Sequence, residues 1–118
     1  AIFNSRGNLR YAQRDLRRAM ADYSESIRLD PSYPLAYNNR ARVRYDRGDI
    51  PGALADFTMA IQLDPNYADA YNNRGTVRRR QGDRQGAIAD YDEAIRLNPR
   101  HPQAVANRES LNRPARNP

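Results

Sequence analysis

Two asparagine pairs, Asn38-Asn39 and Asn72-Asn73, stand in the same Tyr-Asn-Asn-Arg setting, one 34 residues after the other. An amide side chain both donates and accepts hydrogen bonds, so a row of them can hold the N–H and C=O groups of an extended backbone whatever its side chains are. The same amides can instead cap or bridge neighbouring helices, and residue type alone does not choose between the two. Arginine is the other recurrent polar type, because all 20 basic residues are arginine and none is lysine. A planar guanidinium suits bidentate contact with carboxylates, whereas codon usage in a GC-rich genome gives the same bias with no functional content. The one dense basic cluster is Arg78-Arg79-Arg80 with Arg84. It either meets an acidic partner or supplies favourable charge to a helix C-terminus. His101, the single histidine, has no cysteine and no second histidine to complete a metal set or a triad. It reads as a surface-loop residue, and the chain as a non-enzyme without metal or cofactor.

What must position these residues is a repeated unit. Asp30-Pro31, Asp64-Pro65 and Asn98-Pro99 follow one another at 34-residue intervals, each preceded by a leucine, Leu29, Leu63 or Leu97. Tyr37-Asn38-Asn39-Arg40-Ala41 returns as Tyr71-Asn72-Asn73-Arg74-Gly75 and, more weakly, as Phe3-Asn4-Ser5-Arg6-Gly7. Ala19-Met20-Ala21-Asp22-Tyr23 returns as Ala53-Leu54-Ala55-Asp56-Phe57 and as Ala87-Ile88-Ala89-Asp90-Tyr91. A spacing kept twice without a gap implies one supersecondary unit laid down in tandem. On these positions the chain resembles the tetratricopeptide repeat (TPR) family, a 34-residue helix-turn-helix repeat, over residues 1 to about 112.

Helical periodicity occurs in two stretches per copy, separated by a turn signal. In the second copy a helix is expected from about Leu35 to Arg47, closed by Gly48 in the left-handed region. Asp49 then caps the next helix, with Pro51 in its first turn. Gly82-Asp83 repeats this signal, but the first copy has Arg14-Asp15 without a glycine, so its turn should be the least well formed. Second helices are expected at Leu16–Leu29, Pro51–Leu63 and Arg84–Leu97, each stopped ahead of a proline. Gly7, Ala41 and Gly75 opposite Ala19, Ala53 and Ala87 should let paired helices approach, while Tyr23, Phe57 and Tyr91 fill the space between copies. Ser26 stands where the other copies have Ala60 and Ala94, a polar intrusion that its own helix carbonyl could satisfy.

The resulting expectation is an all-α fold, an α-solenoid in which three hairpins form a right-handed superhelix. The repeats are residues 1–33, 34–67 and 68–101, followed by a polar closing helix at 102–112 and a disordered tail at 113–118. Ala1 stands inside a helical pattern with no capping residue ahead of it, which favours a piece of a longer protein over loss of an initiator methionine.

The resemblance implies that first helices line a concave, peptide-binding groove. Carried over position by position, the groove residues are mainly Asn4, Ser5, Asn8, Tyr11 and Ala12 from the first copy and Leu35, Asn38, Asn39, Arg42, Tyr45 and Asp46 from the second. Asp69, Asn72, Asn73, Thr76, Arg79 and Arg80 from the third continue the row, followed by Gln103 and Asn107 from the closing helix. Some family members clamp the C-terminal carboxylates of heat-shock chaperones with two asparagines and three basic residues. Asn8 and Asn39 match the asparagines, but Asn4, Asp69 and Asn73 occupy the basic positions, so the electrostatic half of that clamp is missing. Arg42, Arg79 and Arg80 are placed to attract an acidic segment instead.

Arg6, Arg40, Arg74 and Arg108 share one phase of the period, and Asp22, Asp56 and Asp90 share another. Ion pairs between the two helices of a hairpin are the expected consequence.

Composition sets the outer bounds. Only 39% of residues are hydrophobic and mean hydropathy is −1.01, which suits thin layers sealed by alanine-sized contacts better than one large core. No apolar run approaches the roughly 20 residues of a membrane span, and no signal peptide is visible; the cytoplasm is the favoured compartment. The function expected is a protein-binding scaffold that takes an extended or helical, preferably acidic, segment of another protein. Self-association through exposed end helices, giving a homo-oligomer, is the alternative. Nucleic acid is disfavoured despite a pI near 10.2, because the arginines are scattered among 14 acids and no nucleic-acid motif is present.

Overall fold

The turn chemistry decides where the chain folds back. Asp15, Asp49 and Asp83 each accept a hydrogen bond from the backbone N–H three residues on, at 3.2, 3.0 and 2.9 Å, so a helix begins at each. Asp30, Asp64 and Asn98 end the following helices in extended backbone ahead of a proline, each donating its N–H back to Ser26, Ala60 or Ala94 at 2.9 Å. The structure, a computed structural model, describes residues 2–112. The tail expected to be disordered, 113–118, lies outside them.

The described residues form α1 (Ile2–Ala12), α2 (Leu16–Leu29), α3 (Pro34–Asp46), α4 (Ile50–Leu63), α5 (Ala68–Arg80), α6 (Arg84–Leu97) and α7 (Pro102–Asn112), with no strand among them. α3 begins one residue earlier than expected because Pro34 itself takes the first turn, and Arg47 stands at its C-cap. α4 likewise starts at Ile50 rather than Pro51. None of the described helices is long and apolar enough to cross a membrane. The chain divides into two compact units, one through Pro65 with α1–α4 and one from Asn66 with α5–α7.

The turn of the first copy corrects an expectation. Arg14 adopts φ 59°, the conformation that Gly48 and Gly82 adopt at φ 83°. Its N–H reaches Tyr11 O at 2.9 Å and that of Asp15 reaches Arg10 O at 2.9 Å, matching the bonds around Gly48 and Gly82. The turn therefore closes as completely as the others, with a side chain in the left-handed region that costs on the order of 1 kcal/mol relative to glycine.

In the first unit, α1 packs on α2, α2 on α3 and α3 on α4; in the second, α5 packs on α6 and α6 on α7. Tyr23 shares a buried cluster with Ala19 and Val43, flanked by Tyr11, Leu16 and Met20. It lies so close to α1 that a Cβ on Gly7 would fall 2.6 Å from its ring, and a Cβ on Gly75 would fall 2.9 Å from Tyr91. These small residues are thus seats for the aromatic of the partner helix. Ser26 is a second correction: it is buried, yet among the described residues its hydroxyl has no hydrogen-bond partner, so the helix carbonyl does not satisfy it. Its equivalents Ala60 and Ala94 place no polar atom at that point.

The expected ion pairs form and are doubled. Asp22 is met by Arg6 at 2.8 Å and Arg10 at 3.2 Å, Asp56 by Arg40 at 2.8 Å and Arg44 at 3.2 Å, and Asp90 by Arg74 at 2.8 Å and Arg78 at 3.0 Å. All three carboxylates are buried, whereas the arginines come one helical turn apart from the preceding helix and remain partly solvated. Arg108, of the same phase, pairs with Asp92 at 2.8 Å instead. Removing a buried carboxylate strands its cations, so Asp56→Ala should cost about 3–5 kcal/mol in urea unfolding. Arg44→Ala should cost clearly less, since Arg40 still holds Asp56; equal losses would show that the carboxylate is not the centre of the pair.

Candidate functional site

In the first unit, α1 and α3 bring their polar residues together. Asn39 donates from one amide nitrogen to Asn4 Oδ1 at 3.0 Å and to Asn8 Oδ1 at 3.2 Å, and Asn8 Oδ1 also accepts from the Tyr23 hydroxyl at 2.6 Å. Asn4, Asn38 and Asn39 are buried, while Asn8 is exposed. One turn further along, the Tyr11 hydroxyl donates to Asp46 at 2.5 Å and Arg14 donates to the same oxygen at 3.2 Å. The Tyr11 ring has two guanidiniums near it, Arg42 at 4.8 Å and Arg14 at 5.4 Å. Burial, and next the bond to Asp46, push the Tyr11 phenol above its ordinary pKa. Tyr45, on α3, is half-buried, and Arg42 is exposed.

The second unit repeats part of this arrangement. Asn107 on α7 donates to Asn72 Oδ1 on α5 at 3.1 Å, the same 35-residue step as from Asn39 to Asn4. Thr76 Oγ1 lies 3.0 Å from the Tyr91 hydroxyl and donates to Asn72 O at 3.3 Å. Arg79 donates to Ser110 Oγ at 2.8 Å. Asn73 is half-buried and Arg80 exposed.

Asn4, Asn39, Asn72 and Asn107 therefore brace neighbouring first helices, the alternative that residue type had left open. Of the residues expected to line a groove, Asn8, Arg42, Arg79 and Arg80 are among those that are exposed. Asp46, also expected at a groove position, ties Tyr11 to Arg14 through one carboxylate oxygen.

His101 overturns its reading as a surface-loop residue. It is buried, its Nε2 lies 2.6 Å from Asp69 Oδ1, and its Nδ1 accepts the Ala104 N–H at 3.1 Å. With Nδ1 used as an acceptor, Nε2 carries the proton and donates to the carboxylate. The ring caps α7, and its place just before Pro102 was the available signal. Among the described residues no cluster of histidine and carboxylate suited to a metal ion occurs. Of the positions where the chaperone clamp is basic, Asn4 is bonded to Asn39 and Asp69 to His101.

The burial of Tyr23 gives this face a pH dependence. Burial pushes the Tyr23 phenol from 10 up to about 12, so the folded chain favours its neutral form. Stability is accordingly intact below pH 10 and falls as pH rises through about 12. Unfolding free energy measured across that range should drop for the native chain and drop less steeply for Tyr23→Phe, which keeps only the contribution of Tyr11; parallel slopes would assign the alkaline loss elsewhere.

With this geometry in place, comparison with known proteins places the chain. The family model described as TPR repeat matches residues 7–45 and 41–82, and the one described as tetratricopeptide repeat matches 68–101. No curated protein matches. Among solved structures, an Arabidopsis OM64 TPR domain is similar at TM-score 0.90 and 28% identity, over 93% of this chain and 91% of that one. The second TPR domain of human RPAP3, determined in complex with the HSP70 peptide SGPTIEEVD, is similar at TM-score 0.87 and 29% identity, over 95% and 93%. The first TPR of Spaghetti (RPAP3), bound to the HSP90 peptide SRMEEVD, shares the fold at TM-score 0.89 and 24% identity, over 93% and 87%. The chain belongs to the tetratricopeptide repeat family.

Proposed function

We propose that the chain is a non-catalytic interaction module that binds an extended or helical segment of a partner protein against its first helices. The observation that carries this reading is the cluster of Asn8, Tyr11, Arg42 and Asp46 on α1 and α3. An exposed amide, a ring lying under an exposed guanidinium and a fixed carboxylate offer polar and stacking contacts without rearrangement, which keeps the entropic cost of binding low. The complex of the second RPAP3 domain with an HSP70 peptide supports peptide binding by a chain of this kind. The clamp chemistry does not carry over, because Asn4, Asp69 and Asn73 are not cations. The preference for acidic character rests instead on Arg42 in the first unit and on Arg79 and Arg80 in the second; Tyr45, Asn38, Asn72, Asn73, Thr76 and Asn107 shape the faces around them.

The test is calorimetric titration with peptides selected from a random display library. Arg42→Ala and Tyr11→Phe should weaken binding about tenfold and severalfold, as expected for losing a charge-assisted contact and a fixed hydroxyl, with melting almost unchanged. Unaltered affinity in both would remove this face from the binding site.

Self-association is favoured by one observation. Ile2 and Leu9 on α1 are 81% and 58% exposed, whereas their period mates on α3, Ala36 and Val43, are fully buried. If that face stacks on a second copy, sedimentation over a range of concentrations should show growing mass, and Leu9→Arg should abolish it; a constant monomer mass rejects the reading.

A further inference from the structure

A second candidate site lies in the first unit, and it shares no lining residue with the Tyr11–Arg42 cluster. A hollow of about 390 Å³ opens between α2, the end of α3 and the start of α4, lined by Met20, Ser24, Arg44, Arg47 and Asp49. Its charge is one net positive, from two arginines and one aspartate. Asp49 is committed, since Oδ1 caps α4 through the Gly52 N–H at 3.0 Å and Oδ2 lies 3.9 Å from Arg44. Arg44 is held 3.2 Å from the buried Asp56. Arg47 is exposed and, among the described residues, forms no ion pair.

The internal period shows what is unusual here. The residues one repeat away from Arg47 on either side are Gln13 and Gln81, so the cation is particular to this turn. The equivalent of Ser24 in the third copy is Asp92, which accepts from Arg108 across the α6–α7 junction at 2.8 Å. At the α2–α3 junction the matching arginine, Arg40, is paired with Asp56 and donates across the junction to the Ser24 hydroxyl at 3.4 Å. A carboxylate thus fits at this point of a junction when the chain supplies one, and in the first unit the chain supplies a hydroxyl and an additional arginine instead.

We infer that the hollow receives a carboxylate side chain from a bound protein segment, with Arg47 and Ser24 contacting the acid and Met20 contacting its methylene stem. The unpaired guanidinium supplies a bidentate partner for a single negative charge. A phosphate dianion fits less well, because the fixed Asp49 carboxylate repels the second charge.

The test is NMR titration of the protein with the blocked peptide Ac-Ala-Leu-Glu-Leu-Ala-NH2, its glutamine counterpart and inorganic phosphate. The glutamate peptide should shift the signals of Met20, Ser24 and the Arg44 and Arg47 guanidiniums, and the glutamine peptide should not. Arg47→Gln, which installs the residue found in the other two copies, should weaken the response about tenfold while leaving the melting temperature and any shifts at Tyr11 and Arg42 unchanged. Shifts confined to Tyr11 and Arg42 would overturn the inference while supporting the proposed inner face. Equal responses to phosphate and the glutamate peptide, or none at Arg47, would overturn it as well.

Discussion

A buried carboxylate gripped by two arginines one turn apart is the interaction on which each hairpin depends. An isolated ionised aspartate at this depth would be costly, and it persists because Arg6 and Arg10, Arg40 and Arg44, or Arg74 and Arg78 bring matched charge from the preceding helix. The arginine heads stay partly solvated, so only one member of each set bears the full desolvation. The geometry also fixes register, because sliding one helix against the other by a turn would leave one arginine without its oxygen. The close seating of Tyr23 against Gly7 and of Tyr91 against Gly75 is compatible only with that register. Electrostatic and steric constraints therefore select the same alignment, and each makes the other harder to change.

The strained turn at Arg14 connects this scaffold to the candidate site. Glycine would close the turn at lower cost, as it does at Gly48 and Gly82. A side chain here, however, reaches Asp46 on α3 and lies against the Tyr11 ring. The backbone cost is offset by contacts that fix the hydroxyl and ring of Tyr11. A residue that the turn alone would reject thus stands where it shapes a surface, while the other two turns carry glycine.

The repeat, its helices and its caps were legible because each is local: a proline, an aspartate or a glycine at a fixed offset acts on backbone within a few residues. The arginine–aspartate pairs were legible as recurring phases, although their doubling by Arg10, Arg44 and Arg78 was not. What escaped were contacts between successive first helices. Asn39 to Asn4 and Asn107 to Asn72 join residues 35 apart, one more than the period, so aligning the copies places each asparagine beside its equivalent rather than beside its partner. His101 escaped because a lone histidine is read by what it lacks. Its acceptor nitrogen toward Ala104 is a local cap, but its donor toward Asp69 emerges only when α7 lies against α5. Ser26 looked satisfiable because a hydroxyl can reach back along its helix, yet in place it does not.

These contacts decide which amides and charges remain available to a ligand. With Asn39 spent on Asn4 and Asn8, and Asn72 on Asn107, the proposed binding would rest more on the exposed guanidiniums and the Tyr11 ring than on these amides. Where the chaperone clamp carries cations, this chain has an asparagine tied into the amide chain and an aspartate bonded to histidine. Its arginines instead stand one to two turns further along the first helices, at Arg42 and at Arg79 and Arg80. Cations displaced in this way would read an acidic residue within a segment rather than a terminal carboxylate. Arg79 is also tethered to Ser110 on α7, so a ligand bound there would compete with an internal hydrogen bond, whereas Arg42 lies over the face of the Tyr11 ring. The first unit is on that account the better placed of the two to make the stronger charged contact.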